Sequence, residues 1–381
     1  MKVEQSLYRA RQFSRNPASD QLPGTGQRLV LGFGAKSILE DDDICNVLKE
    51  RYPAAELVLC STSGEIYDEL VYDDTLSLVA IEWERTTMKS LTKNIRDFSD
   101  SFEAGRSVFA GLNGDNLSYV LVISDGGLVN GSELVRGIDS VNTARIPVTG
   151  GLAGDGANFN YTLVGCNGKP ERGNIVAIGF YGKHLKIGHG SLGGWDTFGP
   201  EKTVTRSAAN HLFEIDGKSA LDIYKRYLGK YADELPGSAL LFPLSVRVDG
   251  AASDVVRTIL SINNDDQSMV FAGDVPEGAK VRFMKANFDS LIDAATHAAG
   301  ATLTQMTERK PRLALLVSCV GRKLILGKRI DEETEAVKTR LGDDTLLTGF
   351  YSYGEISPLV PGTKCELHNQ TMTITTFDEA S

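Results

Sequence analysis

The stretch Glu56-Leu-Val-Leu-Cys-Ser-Thr-Ser-Gly-Glu-Ile66 decides the fold, because its pattern returns as Ile146-Pro-Val-Thr-Gly-Gly-Leu-Ala-Gly-Asp155 and as Leu346-Leu-Thr-Gly-Phe-Tyr-Ser-Tyr-Gly-Glu-Ile356. Each copy is a short apolar run that passes into small or hydroxylated residues and ends in a glycine and an acid: Gly64-Glu65, Gly154-Asp155, Gly354-Glu355. Upstream of each lies a helical stretch, and before it a second apolar run: Arg28-Leu-Val-Leu-Gly-Phe-Gly34, Val120-Leu-Val-Ile-Ser-Asp-Gly126 and Leu313-Ala-Leu-Leu-Val-Ser-Cys-Val-Gly321. Short apolar runs bounded by glycine suit strands covered on both faces. Leu134, Ile138 and Val141 share a helical face, as do Ile330, Val337 and Leu341. Strand alternating with helix predicts an α/β fold: two related halves built from repeated strand-helix-strand units, with mixed parallel sheets covered by helices.

Between the second and third copies the texture changes. Asn174 to Phe180 and His184 to Gly190 read as strands of a hairpin around a Tyr-Gly turn. A helix is expected from about Thr205, another after Ser219 as N-cap, and a third after Ser253 as N-cap with Val255, Val256, Ile259 and Leu260 inward. Pro236 and Gly237 make Tyr231 to Gly237 the linker candidate, which divides the chain into 27–235 and 236–378. From Leu367 to Phe377 threonines alternate with apolar residues, the period of a half-buried strand.

Charge and composition exclude several functions. With 40 Lys+Arg against 50 Asp+Glu the net charge is −10, and no basic footprint for nucleic acid or an anionic membrane appears. The five cysteines are dispersed without a CxxC pair, and the longest apolar runs fall short of the roughly 18 residues of a membrane span. A reduced, cytoplasmic, soluble protein is the expectation. Gly217-Lys218-Ser219 ends like a Walker A loop, but Leu212 stands where its first glycine belongs. Gly32-Phe33-Gly34 lacks the third glycine of a dinucleotide loop, since that position is Ser37. His184 and His189 have no metal-site spacing, no serine sits in a GxSxG elbow, and nothing identifies an enzyme.

The stronger signal is polar clustering at strand ends, where open α/β sheets bind ligands. Ser63, Glu65, Asp155, Arg322, Tyr353 and Glu355 are the candidate ligand contacts there, although each acid could equally cap a following helix. Trp195 in Ser191-Leu-Gly-Gly-Trp-Asp196 is a candidate wall, and His368-Asn369 enters the C-terminal strand where a ring could sit at a cavity mouth.

Several of these motifs, in this order, resemble one family. Val58 to Ile66, Pro147 to Asp155, Gly194-Trp195 and Glu214-Ile-Asp-Gly-Lys-Ser-Ala-Leu-Asp222 are similar to the FIST N-terminal domain. Val275-Pro-Glu-Gly278, Ser318-Cys-Val-Gly-Arg322, Gly349 to Glu355 and Leu367-His-Asn-Gln-Thr371 are similar to the FIST C-terminal domain. The resemblance implies a stand-alone sensory module of bacterial signal transduction whose output lies on a separate protein. It further resembles the nitric-oxide-sensing haemoproteins of the NosP type, which implies haem b, His368 as metal ligand with Asn369 beside it, and a histidine kinase or diguanylate cyclase as partner. A sensor of a small polar metabolite such as an amino acid and a ligand-free interaction scaffold are the alternatives, and a homodimer is compatible with each.

Overall fold

The computed structural model describes residues 1–14, 26–235, 237–248, 254–306 and 310–380. The three repeated units form three six-stranded mixed sheets of one plan. In the first, Gln27–Gly34 pairs parallel with Glu56–Ser61 and antiparallel with Leu76–Trp83, which in turn pairs with Lys2–Arg9. In the second, Leu117–Ser124 lies between Val148–Leu152 and Asn174–Tyr181, with Thr87–Asn94 beyond. In the third, Leu313–Cys319 lies between Leu346–Ser352 and Met372–Glu379, with Leu185–Leu192 beyond.

The strand after each glycine-acid step leaves its own sheet. Glu65–Tyr67 pairs with Leu346–Ser352, Gly354–Pro358 pairs with Val148–Leu152, and Val164–Cys166 pairs with Glu56–Ser61. The exchange is cyclic, so the sheets close into a ring with threefold pseudosymmetry. Three backbone bonds repeat the cycle: Ser63 N–H to the Tyr351 carbonyl at 2.8 Å, Tyr353 N–H to Leu152 at 3.2 Å and Gly154 N–H to Ser61 at 2.9 Å.

The leading strand of each unit is apolar on both sides because each side has its own core. Leu29, Leu31, Phe33, Tyr119, Leu121, Ile123, Leu313, Leu315 and Val317 point inward to one cluster shared by all three sheets. Val30, then Val120 and Val122, then Ala314 and Leu316 point outward to three separate helix-covered clusters. Each fully buried side chain of this size contributes about 1.5–3 kcal/mol. Helices Ser101–Leu112 and Gly131–Val141 cover the second sheet, and Phe288–Leu303 and Ile330–Leu341 cover the third.

The predicted α/β class and mixed sheets hold. Asn174–Tyr181 and Leu185–Leu192 are strands but no hairpin: the chain crosses between sheets there, and Leu185–Leu192 pairs with Met372–Glu379. Met372–Glu379 is buried on both faces, not half-buried, because the ring takes one face and Phe288–Leu303 the other.

A further antiparallel sheet includes Asp196–Ala208, His211–Ile215, Leu244–Arg247, Val255–Arg257, Ile259–Asn263, Ser268–Phe271 and Lys280–Lys285. Helix Ala220–Leu228 packs on it, capped by Ser219 Oγ on the Asp222 N–H at 3.1 Å as expected. The predicted helix at Thr205 is instead the long strand Asp196–Ala208, which turns at Ala209 with φ 51°. The helix predicted after Ser253, a residue outside those described, is replaced by Val255–Arg257 and Ile259–Asn263. Ile259 is buried and Leu260 exposed, with a register shift between Ile259 and Ser261, and the β-branched neighbours favour a strand over a helical face. Of the linker candidate, Pro236 lies outside the described residues, whereas Tyr231 packs on Phe242.

Candidate functional site

Glu65 and Glu355 sit at two of the three strand exchanges in one arrangement. Glu65 accepts from Thr62 Oγ1 at 2.5 Å and from the N–H and hydroxyl of Thr75 at 3.1 and 2.8 Å. Glu355 accepts from Ser352 Oγ at 2.6 Å and from the N–H and hydroxyl of Thr371 at 3.2 and 2.9 Å. Both are buried, and burial pushes Glu65 up to about 7 and Glu355 up to about 8. They staple the exchange turns instead of facing a ligand.

The second unit departs from this plan. Gly154 occupies the hydrogen-bonding place of Ser63 and Tyr353, so Asp155 falls one residue short of the two glutamates. It accepts from Lys36 Nζ at 2.9 Å, from the Tyr353 hydroxyl and from the N–H groups of Asn160 and Tyr161. Asp125 fills the stapling role, taking Thr162 Oγ1 at 2.9 Å and the Gly173 N–H at 3.0 Å.

Arg322 is also internal. Its Nε and Nη2 donate to Glu333 Oε2 at 3.0 and 2.7 Å, and Nη1 and Nη2 reach the carbonyls of Gly193 and Leu291. Glu333 Oε1 accepts from Tyr351 and Ser318 at 2.7 and 3.2 Å. Trp195 Nε1 donates to the Gln370 carbonyl at 2.9 Å, and Asn369 is fully enclosed with no partner for its amide among the described residues.

His368 is 2% exposed, with its Nε2 at 2.8 Å from the Ser357 carbonyl. Burial lowers it to about 4, so the ring is neutral. It lines none of the cavities below. A backbone carbonyl already holds Nε2, the ring is enclosed, and among the described residues it borders none of these cavities, so these surroundings do not fit haem. Haemin added to the protein is expected to give the same Soret absorption for wild type and His368→Ala. A band present only in the wild type would return His368 to the site.

What the strand ends do form is a cavity of about 300 Å³ facing the antiparallel sheet. The loop and helix start Gly126–Gly131 make one wall, where Gly126 is required because a Cβ would lie 2.1 Å from the Ala153 carbonyl oxygen. Cys319, Val320, Gly321 and Tyr353 make the second, and Asn210, Thr258, Leu260 and Phe271 to Gly273 the third. Leu128, Phe159 and Leu260, exposed by 43, 46 and 42%, ring it. Phe159 adopts φ 50°, uncommon for an aromatic residue, and stacks on Tyr353 with centroids 4.7 Å apart. Thr258 is 4% exposed, and its hydroxyl has no partner among the described residues.

A second cavity, about 440 Å³, touches the first at Val320 and includes Ser63, Asp73 and Lys323. Its charges are satisfied: Lys323 Nζ donates to the Ser63 carbonyl at 2.8 Å and pairs with Asp73. Of the predicted site residues, only Tyr353 lines the first cavity and only Ser63 the second. Thr258 and Leu260 were not legible as site residues, because the segment reads as a helix with Leu260 inward.

The FIST N domain matches residues 28–218 and the FIST C domain residues 220–358. The chain belongs to the FIST family. FIST domains are associated with the sensing of small ligands in signal transduction. No curated protein matches the chain. Among solved structures it is similar to cyanuric acid hydrolase from A. caulinodans, at 9% identity and a TM-score of 0.39, covering 100% of this chain and 99% of that one. In this FIST protein both segments build the first cavity: Gly126–Gly131 and Asn210 come from the N-terminal match, Thr258, Val320 and Tyr353 from the C-terminal one. None of its described helices is long and apolar enough to cross a membrane.

Proposed function

We propose that this FIST protein is a receptor that holds a small molecule in the cavity between the ring of sheets and the antiparallel sheet. The observation that carries the reading is the exposed apolar rim of Leu128, Phe159 and Leu260 around a wall bearing an unpartnered hydroxyl, Thr258. Apolar surface rimming a concave site with few polar groups is the usual make-up of a ligand site. A receptor is favoured over a thiol catalyst because Cys319, the one cysteine on the wall among the described residues, is pushed far up by burial and stays a thiol. A ligand touching both walls would favour one spacing of ring and sheet, and that population shift would be the signal passed to a partner, such as a histidine kinase or diguanylate cyclase.

Thermal denaturation across a metabolite library tests it. A true ligand at a hundred times its Kd stabilises by about 2.7 kcal/mol. Leu260→Trp, a rim substitution expected to cost less than about 0.5 kcal/mol on its own, fills the mouth and should remove that shift. A shift that survives Leu260→Trp places the ligand elsewhere.

A further inference from the structure

We infer that the molecule received in this cavity is an uncharged, flat, hydrogen-bonding ring, a cyclic amide or heteroaromatic base, and not an amino acid or other ionised metabolite. The inference rests on the cavity being the ligand site. Among the described residues, no Asp, Glu, Lys, Arg or His lines it. The titratable groups that do, Cys319 and Tyr353, are both held neutral by burial, Tyr353 also by Asp155.

The helix start at Gly131 would attract an anion if it were unserved. It is served. Asn130 Oδ1 caps the Glu133 N–H at 3.1 Å, Asp125 accepts from the N–H groups of Gly127 and Leu128 at 2.8 and 2.5 Å, and Asp274 accepts from Asn130 Nδ2 at 3.4 Å. Glu133 is paired with Arg136 at 2.5 Å, whereas Asp125 and Asp274 place negative charge at this helix end. The buried cation nearby, Arg257, donates to the carbonyls of Asp274, Val256 and Leu367 at 3.0, 3.2 and 3.0 Å, and Asp274 and Glu366 face its charge. An entering carboxylate meets like charge from Asp125 and Asp274, and an entering ammonium finds no carboxylate on the wall among the described residues. Either would be buried unpaired at a cost of several kcal/mol.

What the wall offers is neutral. The Thr258 hydroxyl can donate and accept. Asn210 uses its amide nitrogen on the Phe271 carbonyl at 2.8 Å, which turns its oxygen to use as an acceptor. A ring amide carries a donor and an acceptor side by side to match them. The stacked pair Phe159 and Tyr353 supplies a flat apolar surface for the ring face.

Ligand-observed NMR at neutral pH with matched pairs tests this on the full chain: uracil against orotate, and nicotinamide against nicotinate. The neutral member of each pair should bind at least about tenfold tighter. Thr258→Val should weaken it about five- to tenfold, whereas Thr258→Ser, which keeps the hydroxyl, should not. Leu260→Trp should abolish it. Charged members that bind as well as the neutral ones, and are lost in Leu260→Trp, overturn the neutral class but leave the cavity as the site. No binding by any probe at millimolar concentration overturns this inference, and binding that is indifferent to Leu260→Trp overturns the cavity reading together with it.

Discussion

Glu333→Ala is expected to lower the stability of the protein by about 3–5 kcal/mol, read as a fall in the urea midpoint. Arg322 and Glu333 are both fully enclosed, and the pair binds the helix Val320–Leu326 to Ile330–Leu341. The remaining guanidinium bonds reach the carbonyls of Gly193 and Leu291, and the remaining carboxylate bonds reach Tyr351 and Ser318. Removing the acid strands a buried cation among carbonyls and two hydroxyls. The double variant Arg322→Met, Glu333→Leu should recover most of the loss, because two apolar chains of similar volume carry no desolvation penalty. A single variant as stable as the wild type would mean that water reaches the pair.

Stability should also fall as pH rises from 6.5 to 8.5. Glu65 and Glu355, pushed up by burial to about 7 and about 8 from an ordinary 4.5, bind protons more tightly folded than unfolded. Their contribution is therefore complete below about 4.5 and is lost as pH climbs through 7 and 8. His189 and His368 are lowered by burial, so their stabilisation is complete above 6.5 and lost only as pH falls. Burial pushes Glu379 upward too, but the N–H groups of Glu84, Arg85 and Thr86 outweigh it and hold it at about 2, far outside the window. The loss across the window is roughly 2–3 kcal/mol. Glu65→Gln with Glu355→Gln keeps acceptors for Thr75 and Thr371 and should flatten the slope. An undiminished slope in that double variant would assign the titration to other residues.

The three units and their strands were legible because each leading strand faces two cores and so reads as a continuous apolar run. The exchange between sheets was not, since Glu65–Tyr67 is three residues long and finds its partner at Leu346–Ser352, far along the chain. The site was only partly legible for a related reason. A glycine-acid step looks the same whether the acid meets a ligand or a threonine, and Thr75 and Thr371 stand 10 and 16 residues downstream of the glutamates they hold. Arg322 looks like a ligand-binding charge until the following helix is folded back to bring in Glu333. Thr258 and Leu260 lie in a short apolar segment that fits either period, and only pairing with Ser268–Phe271 settles it as a strand.

Whether the cavity is the ligand site is decided by a crystal structure of the protein with the compound that stabilises it most. The compound is expected between Gly126–Gly131 and Thr258, under Phe159 and within hydrogen-bonding distance of the Thr258 hydroxyl. A compound bound at His368 or among Glu65, Arg322 and Glu355, with the cavity unchanged, would contradict it.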